Sequence, residues 1–149
     1  MVPKFRAWDK RENTMRDVAV LHFNKGGKVN YIEYWKTPSE LKSYHVRNLF
    51  LMQSTGLKDK NGVEIFEGDV LLDTSSSANY SDTYWHSYVQ VYRADSGAYR
   101  IKGKHIYDTE LMSARNRLEV VGSIYQHQKL LEKEYFSTSD GIVERADEN

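Results

Sequence analysis

The sequence contains no cysteine among its 149 residues. This absence excludes disulfide scaffolds, thiolate catalysis, cysteine-based zinc sites and iron–sulfur clusters, and it favours a reducing compartment. No segment approaches the ~20 apolar residues that a membrane helix requires. The N-terminus carries charges from Lys4 onward and lacks the apolar run of a secretory signal. We therefore expect a protein of the cytoplasm with no membrane partner.

An excess of charge of either sign is also missing. Lysine plus arginine and aspartate plus glutamate both total 21, so the formal net charge is zero. No global electric field recruits a nucleic acid or an anionic membrane to such a chain.

Motifs that supply catalysis or hold a cofactor are absent as well. The sequence has no GxSxG, no GxGxxG and no GxxxxGK[ST]. Its histidines form no i,i+4 pair, no HExxH and no HxH; they are His22, His45, His86, His105 and His127. We therefore predict no catalytic residue, no metal ligand and no cofactor, and we expect that the protein is not an enzyme.

Aromatic residues are abundant: eleven tyrosines, five phenylalanines and three tryptophans stand in short stretches broken by Gly, Asn and Asp. Aromatic and β-branched side chains suit a pleated surface, so this pattern predicts a mainly β fold, with α+β as the alternative. The predicted strands lie in PKFRAWD, TMRDVAVLHF, KVNYIEYW, NLFLMQS, VLL, the two segments around the turn at residues 94–97, and LEVVGSIYQ.

One or two short helices are expected among these strands. Thr37-Pro38-Ser39-Glu40 has the form of a capping box with proline at the first helical position, which predicts a helix over residues 38–47. HIYDTELMSARNR fits either a loop or a short helix, and HQKLLEKEY predicts a helical turn or two. The polar stretch DTSSSANYSDT predicts an exposed loop, and the chain from Phe136 onward predicts a mobile tail.

The charged stretch TGLKDKNGVEIFEGDVLL contains the strongest turn signal. Asn61-Gly62 favours a type I′ turn, since both residues tolerate positive φ, and Gly68-Asp69 punctuates the entry into a strand buried on both faces. A calcium loop with Gly62 at its sixth position would have Leu57 first and Gly68 twelfth, which leaves too few oxygen ligands. Asn61, Gly62, Gly68 and Asp69 are therefore predicted to be structural.

Aromatic residues alternate with basic ones at several places, an arrangement that can stack bases while neutralising phosphates. The same pattern is also produced when one aromatic of each pair fills the core. The residues predicted to form a surface for a nucleic acid or a protein partner are Arg6, Trp8, Tyr84, Trp85, Tyr92, Arg93, Tyr99 and Arg100.

Three segments, PKFRAWD, LMQSTGLKDKNGVEIFEGDVL and LEVVGSIYQHQKLL, resemble in that order the YopX family of small phage and prophage proteins, over residues 2–131. The resemblance implies an SH3-like small barrel after the Asn-Gly turn, preceded by a β-rich N-terminal lobe. We accordingly predict a lobe at 1–55, a barrel at 56–131 and a C-terminal tail at 132–149. The family has no established activity, so the resemblance implies no catalytic residue.

From these observations we expect a phage- or prophage-encoded accessory protein, located in the cytoplasm of the bacterial host. It would act by binding a protein partner or itself, as a homo-oligomer. The alternative is a protein that binds single-stranded nucleic acid.

Overall fold

The computed structural model of the protein describes residues 4–104 and 106–144. Strands make up 57% of the chain and helices 11%, so the predicted mainly β class is confirmed. The chain folds as two units, of which unit 1 ends at Ser54 and unit 2 begins at Thr55. No helix in the described part of the chain has the length and apolar character needed to cross a membrane.

Unit 1 is built on an antiparallel sheet. Its strands are β1 (Phe5–Asp9), β2 (Thr14–Phe23), β3 (Val29–Thr37), β4 (Glu40–His45) and the first part of β5 (Leu49–Lys58), in the order β4-β3-β2-β1-β5. Alternate residues of a strand point to the same face, and one face holds the core. That core contains Ala7, Ile32, Tyr34 and Leu49, with Val18, Leu21, Val29, Tyr44 and Leu51 packed against them.

The helix predicted for residues 38–47 is wrong, because this segment forms β4 and then a 3₁₀ turn at Val46–Asn48. The Thr37 hydroxyl does accept a bond from the Ser39 amide (3.4 Å), but it closes the tight connection from β3 to β4. Tyr44 then lies opposite Ile32 and packs against the core. Pairing with β3 and partial burial of Tyr44 therefore override the local capping signal.

Unit 2 contains the remaining strands, and β5 ends within it. These strands are β6 (Glu64–Phe66), β7 (Asp69–Ser76), β8 (Tyr84–Arg93), β9 (Tyr99–Gly103), β10 (Ile106–Glu110), β11 (Leu118–Ser123) and β12 (Phe136–Thr138). A one-turn helix α1 (Leu111–Ala114) and 3₁₀ turns at Arg115–Arg117 and Gln128–Glu132 complete it. The order is β10-β9-β8-β7-β11 with β12 beside β8, while β6 pairs with β5. Within the described residues no closed barrel is present.

Both faces of the β7–β8 sheet are covered. On one face the core consists of Ile65, Leu71, Val89, Val91, Ile101, Leu111, Ala114 and Leu118. On the other face Val70, Leu72 and Tyr88 are covered by Val121, Ile124, Leu130, Leu131, Phe136 and Val143. This double burial explains the unbroken apolar run in β7 and confirms the prediction of a strand buried on both sides.

The C-terminal region is more ordered than predicted. β7 extends to Ser76 and β8 begins at Tyr84, which shortens the predicted loop of residues 73–83 to 77–83. The mobile tail predicted from Phe136 is wrong for residues 136–144, since β12 pairs with β8 and Val143 packs on the sheet. Residues 145–149 of that tail lie outside the described residues.

The turn at Asn61-Gly62 forms, but it is not of type I′. Gly62 has φ +82°, whereas Asn13 and Asp82 are the non-glycine residues with positive φ in the described chain, so Asn61 is not left-handed. The Gly62 amide donates to the Asp59 carbonyl (3.1 Å), and the Asp59 amide donates to the Val63 carbonyl (2.8 Å). This is a three-residue hairpin loop in which one left-handed glycine follows a type I turn.

The same loop is used twice more. The amide of Asn24 donates to the Lys28 carbonyl, and the amide of Ala94 donates to the Ala98 carbonyl, both at 2.8 Å. The left-handed residues there are Gly27 (φ +82°) and Gly97 (φ +90°), each at the fourth position of its five-residue stretch. A recurring glycine at this position therefore sets the register of three hairpins.

We expect Gly62→Ala to lower the free energy of unfolding by about 1–2 kcal/mol, the cost of a Cβ in the left-handed conformation. No atom lies within 4 Å of the added Cβ, so the loss is conformational rather than steric. Urea denaturation measures it. Gly27→Ala should behave alike. Its neighbour Gly26 lacks positive φ and should lose less on substitution by alanine, since its added Cβ meets only the side chain of Asn24, at 3.3 Å from Oδ1. Equal losses at Gly26 and Gly27 would contradict the explanation.

Gly68 and Asp69 have structural roles in the turn between β6 and β7. Gly68 has φ +84°; its amide donates to the Val91 carbonyl (3.0 Å), and its carbonyl accepts from the Ile124 amide (2.9 Å). The fully buried Asp69 carboxylate accepts from the Phe66 amide at 2.7 Å. Together they fix the turn between β6 and β7.

Candidate functional site

One face of unit 1 carries large apolar side chains that are open to solvent. The register of β2, β3 and β4 places on this side Val20, His22, Tyr31, Glu33, Trp35, Leu41, Ser43 and His45, which we call the β2–β4 face. Trp35 is 47% exposed and lies opposite Leu41, which is 40% exposed. Single exposed apolar residues are ordinary, whereas a group of them on neighbouring strands is a candidate binding surface.

Polar contacts hold the two histidines of this face, and one of them stacks on Tyr31. The His22 ring stacks on Tyr31 with centroids 4.1 Å apart, and His22 Nε2 lies 2.8 Å from Glu33 Oε2. On the other side of Tyr31, His45 Nδ1 accepts a bond from the Arg47 amide at 3.1 Å. A stacked and hydrogen-bonded platform loses little side-chain entropy when a partner covers it.

The β2–β4 face ends at a sheet edge, because β4 is the last strand of its sheet. The first four residues of β4 are exposed, and the charged Glu40 and Lys42 alternate along it with Leu41 and Ser43. Charged residues on an edge strand oppose uncontrolled pairing with other chains. The β2–β4 face is therefore available for contacts through its side chains, while the adjacent edge of β4 is protected from strand pairing by Glu40 and Lys42.

In unit 1 the structure places Arg6 and Trp8, both predicted for the binding surface, on β1. Trp8 is 7% exposed and lies between Met15 of β2 and Phe50 of β5. Arg6 is half-buried between Asp17 and Met52. A buried indole gives a base no ring face to stack on, so Trp8 does not form a stacking surface in this conformation.

Tyr92 and Arg100, predicted for the same surface, do come together in unit 2. They are opposite each other on β8 and β9, and both bind the Asp108 carboxylate: Tyr92 donates its hydroxyl, and Arg100 Nε donates at 2.6 Å. These bonds hold the pKa of Asp108 below its usual range and raise the pKa of Tyr92 and Arg100. Lys102 lies 4.6 Å from the Tyr92 ring centroid. The Arg100 charge is thus already matched by a carboxylate, which disfavours phosphate binding.

The remaining predicted surface residues are separated. Arg93 and Tyr99 are opposite each other, and Tyr99 packs against the core of unit 2. Tyr84 and Trp85 lie at the other end of β8, where Trp85 is 38% exposed and meets Tyr135 edge-on at 5.5 Å. The structure therefore does not collect the predicted residues into one aromatic and basic surface.

No cluster of three or more possible metal ligands occurs in the part of the chain that the structure describes. His105 lies outside the described residues. Glu64 and Glu67 are partly exposed, and Asp69 is occupied by the Phe66 amide. The buried Asp69 carboxylate thus serves a backbone contact between β6 and β7.

Comparison with known proteins now identifies the family. The family model described as YopX protein matches residues 4–132. The chain belongs to the YopX family. The crystal structure of protein EF1440 from Enterococcus faecalis is similar to it, with a TM-score of 0.62 and 28% identity over 88% of this chain and 99% of that one. The comparison with curated proteins found no match.

In this YopX family member, sequence reasoning missed the β2–β4 face. The helix predicted for residues 38–47 hides the pairing of β3 with β4, in which Leu41 lies opposite Trp35. In KVNYIEYW both alternating rows contain aromatic side chains, so hydrophobicity does not show which row faces the core. Only within residues 31–35 does charge separate the two rows, because Glu33 stands between Tyr31 and Trp35 while the alternate positions are Ile32 and Tyr34.

Proposed function

We propose that this protein is a non-catalytic accessory protein of phage or prophage origin that binds a protein partner through the β2–β4 face. The observation that carries the proposal is the pair Trp35 and Leu41, opposite each other on β3 and β4 and 47% and 40% exposed. Tryptophan and tyrosine dominate the residues that contribute most to protein–protein affinity, usually as rigid anchors near the centre of an interface.

The composition of the face supports a protein partner rather than a nucleic acid. Its side chains include no lysine or arginine, and the carboxylate of Glu33 would repel a phosphate. Enrichment in Trp and Tyr with depletion of Lys is typical of protein–protein interfaces. We place the action in the cytoplasm of the bacterial host, consistent with a cysteine-free chain.

The test is co-purification from infected or induced bacterial cells, followed by reconstitution with the purified partner. We expect Trp35→Ala to weaken binding by about 2 kcal/mol, roughly thirty-fold in Kd. Trp85→Ala is the matched control, since Trp85 is also exposed but lies in unit 2. A partner that binds wild type and Trp35→Ala equally tightly would contradict the proposed surface.

Two further measurements separate the other hypotheses. Titration with labelled single-stranded oligonucleotides should show no binding at low salt, and micromolar binding that weakens with added salt would favour a nucleic-acid-binding function instead. Light scattering determines whether the partner is a second copy of this chain. A homo-oligomer that persists in Trp35→Ala would place the self-contact elsewhere.

A further inference from the structure

The C-terminal strand β12 occupies a distinctive place in unit 2. It is a three-residue strand that pairs with Tyr84, Trp85 and His86 of β8, while β9 pairs with the following residues 89–93 of the same strand. β12 therefore continues the line of β9 along β8. Its removal would leave the pairing of β8 with β7 and β9 intact.

His86 joins β12 to the sheet. Its side chain is 1% exposed, and its two ring nitrogens bond to hydroxyls on different strands: Nδ1 to Thr74 Oγ1 of β7 at 2.8 Å, and Nε2 to Thr138 Oγ1 of β12 at 2.6 Å. The Phe136 ring lies 5.1 Å from the imidazole. The Gly141 amide donates to the same Thr138 hydroxyl at 3.1 Å, which ties the following residues to this contact.

Burial of His86 disfavours the charged form of its imidazole, because a charge loses its hydration there. Its hydrogen-bond partners are the two threonine hydroxyls, and no carboxylate among the described residues bonds to it. Burial lowers the pKa of His86 below its ordinary value of 6.5, and the charge of Lys60 lowers it further, while Asp140 opposes both. Two further charged groups lie near this sheet face: Lys133, 5.8 Å from the Phe136 ring centroid, and Glu119, which acts on Tyr88.

We propose that β12 is a pH-sensitive latch, fastened to β8 by neutral His86 and released by its protonation while the rest of the sheet stays folded. In the open state His86 reaches water and regains its ordinary affinity for protons. The closed state binds fewer protons than the open state, so acid favours opening. Release removes Phe136 and Val143 from the apolar face formed by Val70, Leu72 and Tyr88. The rest of that cover, Val121, Ile124, Leu130 and Leu131, lies outside the latch.

The sign and size of the effect follow from this difference in proton binding. The open state titrates near 6.5, and the closed state titrates at a lower pKa. As the pH falls from 6.5 toward that lower pKa, the open population rises by about tenfold for each pH unit. Above 6.5 the latch does not respond to pH.

Hydrogen exchange followed by mass spectrometry at pH 7.5 and 5.5, corrected for the intrinsic exchange rate, tests the proposal on the full chain. We expect the segment 134–144 to lose up to about tenfold of its protection at the lower pH. The β7 segment 70–76 should keep its protection. Unchanged protection of 134–144 would overturn the latch, and so would an equal loss in both segments, which indicates global unfolding.

Variants assign the effect to His86. His86→Gln removes the titrating group, so the difference in protection of 134–144 between pH 7.5 and 5.5 should vanish. If His86→Gln does not fold, substitutions at the exposed Lys60 and Asp140 test the same point, and we expect opposite effects from them. Lys60→Gln raises the closed-state pKa and should reduce the acid-induced loss of protection, whereas Asp140→Asn lowers that pKa and should enlarge it. An identical response in wild type and both exposed variants would contradict the role of His86.

Discussion

Asp59→Ala should lower the free energy of unfolding by about 3–4 kcal/mol, more than the loss of an ordinary turn residue. Asp59 is 5% exposed, and its carboxylate accepts three backbone amides. Oδ1 accepts from Asn61 (2.8 Å) and Val63 (2.9 Å) within the turn, and Oδ2 accepts from Val120 of β11 at 2.8 Å. A cap of the first kind contributes about 1 kcal/mol, and a hydrogen bond to a charged acceptor about 1.5–3 kcal/mol.

The chain offers a control for this prediction at residues 24–28, the first of the three hairpin loops that share this left-handed glycine. Asn24 Oδ1 accepts from the amides of Gly26 (2.9 Å) and Lys28 (3.1 Å), which reproduces the contacts of Asp59 within its own turn. Asn24→Ala should therefore cost about 1 kcal/mol. The excess loss in Asp59→Ala combines the bond that attaches the turn to β11 with the effect of burial, since Asn24 is exposed and Asp59 is not.

Asp59→Asn isolates the same bond in a second way. The amide oxygen can still serve Asn61 and Val63, but the NH₂ group would face the Val120 amide, donor against donor. We expect a loss of about 1.5–3 kcal/mol in urea denaturation, with faster hydrogen exchange at Val120. Wild-type stability in Asp59→Asn, or equal losses in Asp59→Ala and Asn24→Ala, would show that the tertiary bond contributes little.

Asp59 illustrates what could be read from the sequence and what could not. The Asn61-Gly62 pair correctly located a turn, because a glycine with positive φ is a local requirement. The turn type was wrong, since the Asp59 side chain bonds two amides of its own loop and favours a type I turn there. Its third bond reaches 61 residues along the chain, and no local pattern encodes such a contact.

Two further segments, residues 38–47 and Phe136–Thr138, also depend on contacts that a local pattern does not show. Residues 38–47 have the local marks of a helix start, and the pairing partner that overrides them, β3, is recognised only when both strands are placed side by side. Phe136 to Thr138 look like part of a polar tail, yet Phe136 covers Tyr88 and β12 extends the sheet along β8. Long-range pairing determines the structure of both segments. The β2–β4 face and the proposed latch depend on these two pairings.

The second large effect is expected at Asp9, whose side chain is fully buried in unit 1. Its carboxylate accepts from the amides of Arg11 (2.9 Å) and Glu12 (3.2 Å), from Arg16 Nη2 at 3.2 Å, and from the Tyr44 hydroxyl at 3.3 Å. The Asp9 carboxylate therefore binds groups from the loop between β1 and β2, from β2 and from β4. Asp9→Ala should cost about 3–5 kcal/mol, as for removal of one partner of a buried ion pair.

Glu12→Gln provides the control, because Glu12 binds the same Arg16 from the surface, where its side chain is 62% exposed. An exposed pair contributes only about 0–1 kcal/mol, so the glutamine variant should unfold at nearly the wild-type urea concentration. Similar losses at Asp9 and Glu12 would mean that burial of Asp9 does not matter.

The pH dependence of stability gives an independent test of Asp9. Burial acts to raise the pKa of Asp9, but the amides of Glu12 and Arg11, with Arg16 and Tyr44, outweigh it and hold the pKa below its ordinary value of 3.8. The unfolded chain therefore takes up the proton first, and this contribution to stability, complete at neutral pH, is lost as the pH falls below about 4. Asp9→Asn cannot titrate, so its unfolding free energy should fall less steeply than that of wild type between pH 5 and 3. Parallel curves for the two proteins would show that the Asp9 carboxylate is not preferentially stabilised in the folded state.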